Sequence, residues 1–254
     1  MTHRLKKEKN YSYIEAGEGT PIIVLHGLMG GLSNFDAVID FFSKKGYKVI
    51  IPELPIYTMS LIKTNVKNFA KYLHDFIDFK GFDEVILLGN SLGGHIGLYH
   101  TKLYPKKVKA LIITGSSGLY ESAMGGGYTK RGDYEVIKKK AQEVFYDPAV
   151  ATKEIVDEVY ETVNDRNKLI KTLAIAKSAI RHNMAKDLPN MQIPTCIIWG
   201  KNDTVTPPDV AKEFDELLPD SELFWIDKCG HAAMMEHPEE FNTILNNWLQ
   251  KRGF

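Results

Sequence analysis

Short apolar runs along the chain alternate with longer stretches in which apolar residues recur at helical spacing. The runs are rich in β-branched residues and lack polar interruptions, a pattern typical of strands buried on both faces of a parallel sheet. They predict strands over residues 21–25, 47–52, 83–89, 108–114, 195–199 and 222–226. Helical spacing predicts helices over residues 34–44, 65–79, 92–103, the stretch from Pro208 and 238–249. Strands that alternate with helices predict an α/β fold with a mostly parallel sheet and flanking helices.

The alternation stops after the fourth strand, where long and charged helical patterns occur without any strand signal. These patterns predict helices over residues 134–144, 153–163 and 168–182. The glycines at 125–127 precede them and predict a flexible point. A helical segment inserted into a sheet domain can cover a site at the edge of the sheet. We therefore expect residues 1–115 and 192–254 to form a core domain, and residues 116–191 to form a helical cap, or lid.

Composition excludes several classes of protein. The chain has 254 residues, of which 44% are hydrophobic, so it is too apolar for intrinsic disorder and long enough for a full core. Lysine plus arginine and aspartate plus glutamate each number 32, and this balance predicts no nucleic-acid partner. No stretch reaches the roughly 18 apolar residues of a membrane span. Cys196 and Cys229 belong to no ligand cluster or disulfide framework, so we expect a soluble cytoplasmic protein that needs no metal or cofactor.

The pattern G-x-S-x-G occurs at residues 89–93, directly after a predicted buried strand and directly before a predicted helix. Glycines on both sides of the serine permit a sharp turn that presents the hydroxyl at the carboxyl edge of the sheet. The bare pattern is short, and its setting between strand and helix distinguishes a nucleophile from a serine that only caps a helix. The setting predicts Ser91 as a nucleophile.

A serine hydroxyl becomes a good nucleophile when a histidine removes its proton. His231 is the best-placed base, because the segment DKCGHAAMMEHP follows the last predicted strand and Gly230 permits a tight loop. His237 lies at a predicted helix start and His182 lies in the inserted helices, so both are weaker candidates. We expect His231 to act as general base and then as general acid.

A carboxylate is needed to orient the histidine. We favour Asp203, in WGKNDTVTPP, because it lies just beyond the predicted strand 195–199, where a loop side chain can reach His231. Asp227 is the rival acid, since it also follows a strand. The order Ser91, Asp203, His231 is the chain order of serine hydrolases built on a parallel sheet.

Two backbone N–H groups are expected to stabilise the oxyanion that forms during acyl transfer. One belongs to the residue after the nucleophile, here Leu92, and the other belongs to a loop after an earlier strand. The loop HGLMGG follows the first predicted strand, and its position makes the Leu28 amide the expected partner. We expect His26 to hold this loop by hydrogen bonds. The loop lacks the G-K-[ST] ending of phosphate-binding loops, so we do not expect a nucleotide site.

Apolar residues near these segments are candidates for a substrate pocket or for plain core packing. The candidates are Phe35, Ile56, Tyr57, Met234 and Met235. In the insertion, Arg131 and Arg181 could hold a substrate carboxylate by bidentate pairing, or could be solvated charges on a helix surface.

The segments HGLMGG, GNSLGG, WGKNDTVTPP and CGHAAMMEHPEEF resemble, in this order and spacing, those of the α/β-hydrolase superfamily. The second and fourth segments are most similar to carbon–carbon bond hydrolases of the meta-cleavage-product type and to related esterases. The resemblance covers essentially the whole chain. It implies that Ser91, Asp203 and His231 form a catalytic triad and that Leu28 and Leu92 supply the oxyanion amides. It also implies a cap formed by residues 116–191.

Two segments differ from the carbon–carbon hydrolases. The chain has PELPIYTMS where those enzymes resemble D-x-x-G-x-G-x-S, and its oxyanion loop lacks their Gly-Pro pair. Epoxide hydrolases and haloalkane dehalogenases share the scaffold but carry aspartate at the position of Ser91, which argues against both activities.

We interpret the chain as a serine hydrolase that cleaves an ester of a small to medium hydrophobic substrate through an acyl enzyme. Carbon–carbon bond hydrolysis of a vinylogous diketone acid is the alternative, and it would make Arg131 and Arg181 important for affinity. A non-catalytic ligand-binding protein on the same fold is a further interpretation. Attack of peroxide on the same acyl enzyme would give perhydrolase chemistry. The expected partner is a small-molecule substrate.

Overall fold

An eight-stranded sheet organises the protein, which we describe from a computed structural model over residues 3–120 and 130–254. The strands are β1 (Lys6–Glu8), β2 (Tyr11–Ala16), β3 (Thr20–Leu25), β4 (Tyr47–Pro52), β5 (Val85–Asn90), β6 (Val108–Thr114), β7 (Thr195–Gly200) and β8 (Ser221–Ile226). Their spatial order is β1-β2-β4-β3-β5-β6-β7-β8. Strand β2 pairs antiparallel with β1 and β4, and all other neighbours pair parallel. The predicted α/β class with a mostly parallel sheet is confirmed.

Helices cover both faces of the sheet. They are α1 (Asp36–Phe42), α2 (Val66–Phe79), α3 (Leu92–Leu103), α4 (Tyr134–Gln142), α5 (Lys153–Asn164), α6 (Arg166–Arg181), α7 (Pro208–Leu217), α8 (Ala233–Glu236) and α9 (Pro238–Arg252). Alternate residues of the buried strands point to opposite faces, so each strand contributes to two cores. One core packs α2, α3 and α7 against residues such as Ile23 and Leu87. The other packs α1, α8 and α9 against residues such as Ile22 and Leu88.

The chain between β6 and β7 contains the helices α4, α5 and α6, close to the helical patterns read from the sequence. Each of them begins at a side chain that accepts backbone N–H groups of the first turn: Asp133, Thr152 and Asp165. Helix α6 is tied to the core, because the Ser178 hydroxyl accepts the N–H of Val66 at the start of α2. The predicted flexible point at 125–127 lies outside the described residues.

The N-terminal hairpin of β1 and β2 was not predicted. Strand β1 has the sequence KKE and is exposed, and only Tyr13 and Ile14 are buried in β2. Edge strands with one solvated side lack the continuous apolar run that identifies a central strand, and charged residues protect such edges. Within the described residues, no helix combines the length and the apolar character that crossing a bilayer requires.

Parallel pairing brings the carboxyl ends of β3, β5, β6, β7 and β8 to one edge of the sheet. The segments that begin at residues 26, 91, 115, 201 and 227 therefore start side by side. Ligands of open α/β sheets bind at this edge, outside the carboxyl ends of the strands.

Candidate active site

Ser91 occupies a strained turn between β5 and α3. Its backbone has φ 55° and ψ −120°, a conformation that residues other than glycine rarely adopt. The turn can be this sharp because α3 lies directly against the sheet. A Cβ at Gly89 would lie 2.4 Å from the Gly93 carbonyl carbon, and a Cβ at Gly93 would lie 2.0 Å from the Leu25 carbonyl oxygen. Both glycines of the motif are therefore required by close packing.

Asp203 and His231 form a buried hydrogen-bonded pair. The Nδ1 atom of His231 donates to Oδ2 of Asp203 across 2.9 Å, and the Asp203 side chain is fully buried. The Thr206 hydroxyl also donates to Oδ2, at 2.8 Å. Backbone N–H groups of Val205 and Thr206 donate to Oδ1 at 2.8 and 2.9 Å. The carboxylate thus faces donors on both oxygens, which fixes its position and the tautomer of the His231 ring.

The main chain of His231 is held from two sides. Its N–H donates to the carbonyl of Val144, in the segment that follows α4, at 2.9 Å. Its carbonyl accepts a 3.1 Å hydrogen bond from the side-chain amide of Asn90, which also donates to the carbonyl of Thr114. Because Asn90 immediately precedes Ser91, this amide links the turn of the predicted nucleophile directly to the loop of the predicted base.

Gly115 makes room for the His231 ring. It follows β6 with φ +51°, and a Cβ built there would lie 2.7 Å from the His231 carbonyl oxygen and 2.8 Å from Nδ1. Any side chain at this position would displace the ring that Asp203 orients. Glycine is needed here both for the left-handed backbone and for the close approach.

The loop of residues 26–31 lies beside the turn of Ser91, since a Cβ at Gly27 would lie 3.4 Å from the Cβ of Ser91. Within the described part of the chain this N–H has no acceptor. Leu92 is the first residue of α3, so its N–H also has no acceptor inside the helix and lies at the positive end of the helix dipole. Both predicted oxyanion donors are therefore unused by secondary structure.

The His26 ring fixes this loop through two hydrogen bonds. Its Nε2 accepts the N–H of Leu54 at 3.1 Å, so its Nδ1 carries the proton and donates to the Gly27 carbonyl at 2.9 Å. Burial lowers the pKa of His26, which keeps the ring neutral and this tautomer in place. The Gly27 carbonyl and the Leu28 N–H belong to one planar peptide unit, so the bond from His26 orients the oxyanion donor.

A cavity of about 400 Å³ is lined by both Ser91 and His231. Part of its wall comes from the oxyanion loop: Gly27, Leu28, Met29 and Gly30. Another part of the wall comes from α4, the segment after it and α5: Lys140, Ala141, Glu143, Val144, Phe145, Ile155, Glu158 and Val159. The inserted helices therefore form one wall of the space next to Ser91.

A second cavity, of about 290 Å³, is also lined by the oxyanion loop and by α5, and it shares Leu28, Met29, Gly30, Glu158 and Val159 with the first. Two predicted pocket residues, Ile56 and Tyr57, line this second cavity rather than the larger one. The Tyr57 hydroxyl donates to the Leu28 carbonyl at 3.2 Å.

The structure separates the other predicted pocket residues into three groups. Met235 lines the larger cavity. Phe35 and Met234 are buried in the core between the sheet and the helices α1, α8 and α9, and they line neither cavity. Arg131 and Arg181 are exposed and also line neither cavity, because each lies on the solvent side of the insertion.

The rival candidates are not assembled into the site. The Asp227 side chain is 70% exposed and lies 3.6 Å from Lys201 at the surface. His237 contacts the carbonyl of Lys228 through Nε2, and His182 contacts Ser178 within α6. Only His231 among these histidines lines a cavity together with Ser91.

Several residues of the site were not singled out from the sequence: Asn90, Gly115, Lys140, Thr206 and Glu236. Thr206 carries a recognisable signal, because a threonine three residues after an aspartate in a loop can close a side-chain turn. Asn90 and Gly115 become visible only in three dimensions, since both contact His231, which is distant along the chain.

Comparison with known proteins agrees with the fold. The α/β hydrolase fold family matches residues 20–133 and 151–238. The crystal structure of MGS-MChE2, an α/β hydrolase enzyme from the metagenome of sediments of the lagoon of Mar Chica, Morocco, is similar at 63% identity and a TM-score of 0.84. That likeness covers 99% of this chain and 100% of the other.

Two curated relatives are similar at lower identity. A 2-hydroxy-6-oxononadienedioate/2-hydroxy-6-oxononatrienedioate hydrolase of Pseudomonas sp is 28% identical over 93% of this chain and 90% of its own length. A 2-hydroxy-6-oxo-6-(2'-aminophenyl)hexa-2,4-dienoic acid hydrolase of Metapseudomonas resinovorans is 29% identical over 95% and 88%. The resemblance to the meta-cleavage-product type is thus confirmed, and the chain is a hydrolase that belongs to the α/β-hydrolase fold family.

Proposed function

We propose that the protein is a serine hydrolase that cleaves esters of small to medium hydrophobic substrates. The observation that carries the proposal is the cavity shared by Ser91 and His231, with His231 held by the buried carboxylate of Asp203. Ser91 Oγ attacks the carbonyl carbon while His231 Nε2 accepts its proton. The N–H groups of Leu28 and Leu92 hold the oxyanion.

The second half of the reaction uses the same groups. His231 donates its proton to the leaving alkoxide, and the acyl group remains on Ser91. A water molecule then attacks the acyl carbon, with His231 again accepting a proton, and Ser91 is released. In this proposal residues 116–191 act as the cap, because their helices α4 and α5 line the cavity next to Ser91.

The charges of the cavity wall favour a neutral substrate. Among the described lining residues, Glu143 and Glu158 carry negative charge and Lys140 carries positive charge. An acidic substrate would meet repulsion from the two carboxylates, whereas an ester with an apolar acyl group would pack against Val144, Phe145 and Met235.

Carbon–carbon bond hydrolysis is the second candidate, and the curated relatives favour it by the substrates in their names. The same residues would serve, with a vinylogous ketone in place of the ester carbonyl. Lys140 is the described cation that such a substrate's carboxylate would meet in the cavity.

The two candidates are separated by comparing kcat/KM for p-nitrophenyl butyrate and for 2-hydroxy-6-oxo-6-phenylhexa-2,4-dienoate, using wild type and Ser91→Ala. We expect rapid ester cleavage, slower dienoate cleavage, and loss of both activities in Ser91→Ala. A kcat/KM for the dienoate that exceeds the ester value would establish the second candidate. Ester cleavage that survives in Ser91→Ala would contradict both.

A further inference from the structure

Glu236, the last residue of α8, holds three backbone N–H groups with one half-buried carboxylate. Oε2 accepts the N–H of Gly230 at 2.5 Å. Oε1 accepts the N–H groups of Tyr146 and Asp147 at 2.7 and 3.0 Å. Hydrogen bonds to a charged acceptor are about twice as strong as those between neutral groups. The Glu236 carboxylate therefore links the backbone at Gly230 strongly to the backbone at residues 146–147.

The joined segments are the loop of the predicted base and the chain that follows α4. Gly230 directly precedes His231, and the His231 N–H donates to the Val144 carbonyl. A Cβ at Gly230 would lie 2.5 Å from that same carbonyl oxygen, so the two backbones are in direct contact. Thr204, which directly follows Asp203 on the neighbouring loop, adds a further link. Its hydroxyl donates to the Glu143 carbonyl at 2.9 Å.

The segment held in this way also forms part of the cavity wall. Glu143, Val144 and Phe145 line the space next to Ser91, whereas Glu236 lines neither described cavity. Glu236 therefore acts on the reaction only through the backbone. Without its carboxylate, the N–H groups of Gly230, Tyr146 and Asp147 would lose this acceptor, and fewer hydrogen bonds would hold the His231 loop against the insertion.

We propose that Glu236 is a positioning residue, which fixes the His231 backbone against residues 143–147 so that the ring stays aligned between Asp203 and Ser91. The inference rests on the proposed function of Ser91 and His231 and adds a residue to it. It also means that the insertion is fastened to the core where the base sits, so this end of the insertion stays in place while substrate enters.

The test compares Glu236→Gln and Glu236→Ala with the control Glu239→Ala, which removes an exposed carboxylate from the next helix. We measure kcat and KM for p-nitrophenyl acetate, the rate of fluorophosphonate labelling at Ser91, and the melting temperature of each variant. A displacement of reacting groups by about 1 Å can cost on the order of a hundredfold in rate. We expect kcat and the labelling rate to fall about tenfold to a hundredfold in Glu236→Ala, with KM changed less than about twofold.

Glu236→Gln retains one oxygen acceptor and the same shape, so it is expected to fold and to recover part of kcat. Glu239→Ala is expected to match wild type. A folded Glu236→Gln and Glu236→Ala with wild-type kcat and labelling rate, even at a lower melting temperature, would overturn the inference. An increase in KM at constant kcat would overturn it as well, because the residue would then shape the cavity. If Glu236→Ala does not fold, the kcat of Glu236→Gln decides alone. Absence of labelling in wild type would instead contradict the proposed function.

Discussion

His231 Nδ1 lies 2.9 Å from Asp203 Oδ2, and the Asp203 carboxylate has no exposed surface. Three further donors, from Val205 and Thr206, complete the shell of hydrogen bonds around the two oxygens. This environment places a proton on Nδ1 of His231, so in the neutral ring Nε2 is the nitrogen without a proton. The unprotonated nitrogen is the one that a serine hydroxyl needs for activation.

Asp203→Asn is expected to lower kcat on the order of 10⁴-fold with little change in fold. An amide at this position has one NH₂ group, which must face either the backbone N–H groups of Val205 and Thr206 or Nδ1 of His231. The first orientation opposes donor to donor, and the second stabilises the wrong tautomer of His231. Steady-state kinetics on a p-nitrophenyl ester measures the effect. Asp227→Asn is the matched control, because Asp227 also follows a strand but lies at the surface. A larger loss in the control than in Asp203→Asn would assign the acid to Asp227.

Gly115→Ala is expected to reduce kcat strongly, because its Cβ would lie 2.7–3.0 Å from atoms of His231. The control is Gly81→Ala, since Gly81 also has a positive φ but has no atom within 4 Å of its Cβ position. Both variants bear the backbone cost of about 1 kcal/mol, which lowers the free energy of unfolding. Only Gly115→Ala should lose activity at a temperature where both are folded. Equal kcat values in the two variants would mean that the ring position tolerates the added methyl.

The buried part of the fold was predictable because its signals are local. The strand β5, the helix α3 and the elbow between them follow from an apolar run, two glycines and a serine within a few residues. Parallel pairing then brings loops that are far apart in sequence to one edge, which is why Asp203 and His231 could be placed beside Ser91. Edge strands such as β1 escaped prediction because a solvated strand has no continuous apolar run.

A buried histidine predicts a loss of stability in acid. Burial, with the neighbouring His74 as a smaller cause, lowers the pKa of His100 to about 3. Neither ring nitrogen has a hydrogen-bond partner among the described residues. The unfolded chain has a histidine pKa of about 6.5, so between pH 6.5 and 3 it binds a proton that the folded protein does not. The free energy of unfolding therefore decreases as the pH falls through this window.

Denaturant unfolding at pH 7 and pH 5 measures this contribution. Wild type should lose about 2 kcal/mol more than His100→Leu between the two pH values, since the leucine variant has no proton to bind at this position. A loss of the same size in both proteins would show that His100 is accessible to protons in the folded state.

The charges in the cavity predict which cation contacts an acidic substrate. Lys140→Ala should raise KM for a dienoate substrate about fivefold and leave KM for a neutral ester unchanged, because Lys140 lines the cavity. Arg131→Ala and Arg181→Ala should change neither value, since both side chains are exposed and outside the described cavities. Loss of dienoate affinity in either arginine variant would mean that the insertion closes further over the substrate.

The pocket was the least predictable part of the site. Met234 and Met235 are adjacent in sequence, yet one is buried in the core and the other lines the cavity. Composition cannot separate the two roles, because both require an apolar side chain. Ile56 and Tyr57 were candidates for the substrate pocket, but they line the smaller cavity and not the one next to Ser91. Whether an apolar side chain lines the cavity or packs in the core depends on contacts between segments that are distant along the chain. The local sequence pattern contains no information about those contacts.

The most direct test of the account is the intact mass of the protein after treatment with a fluorophosphonate probe, measured in parallel for wild type and Ser91→Ala. An activated serine reacts with such a probe, and an unactivated hydroxyl does not. We predict addition of one probe to wild type and none to Ser91→Ala. A folded wild-type protein that gains no mass, or equal labelling of both proteins, would contradict the assignment of Ser91 as the nucleophile and would favour a ligand-binding protein on the same fold.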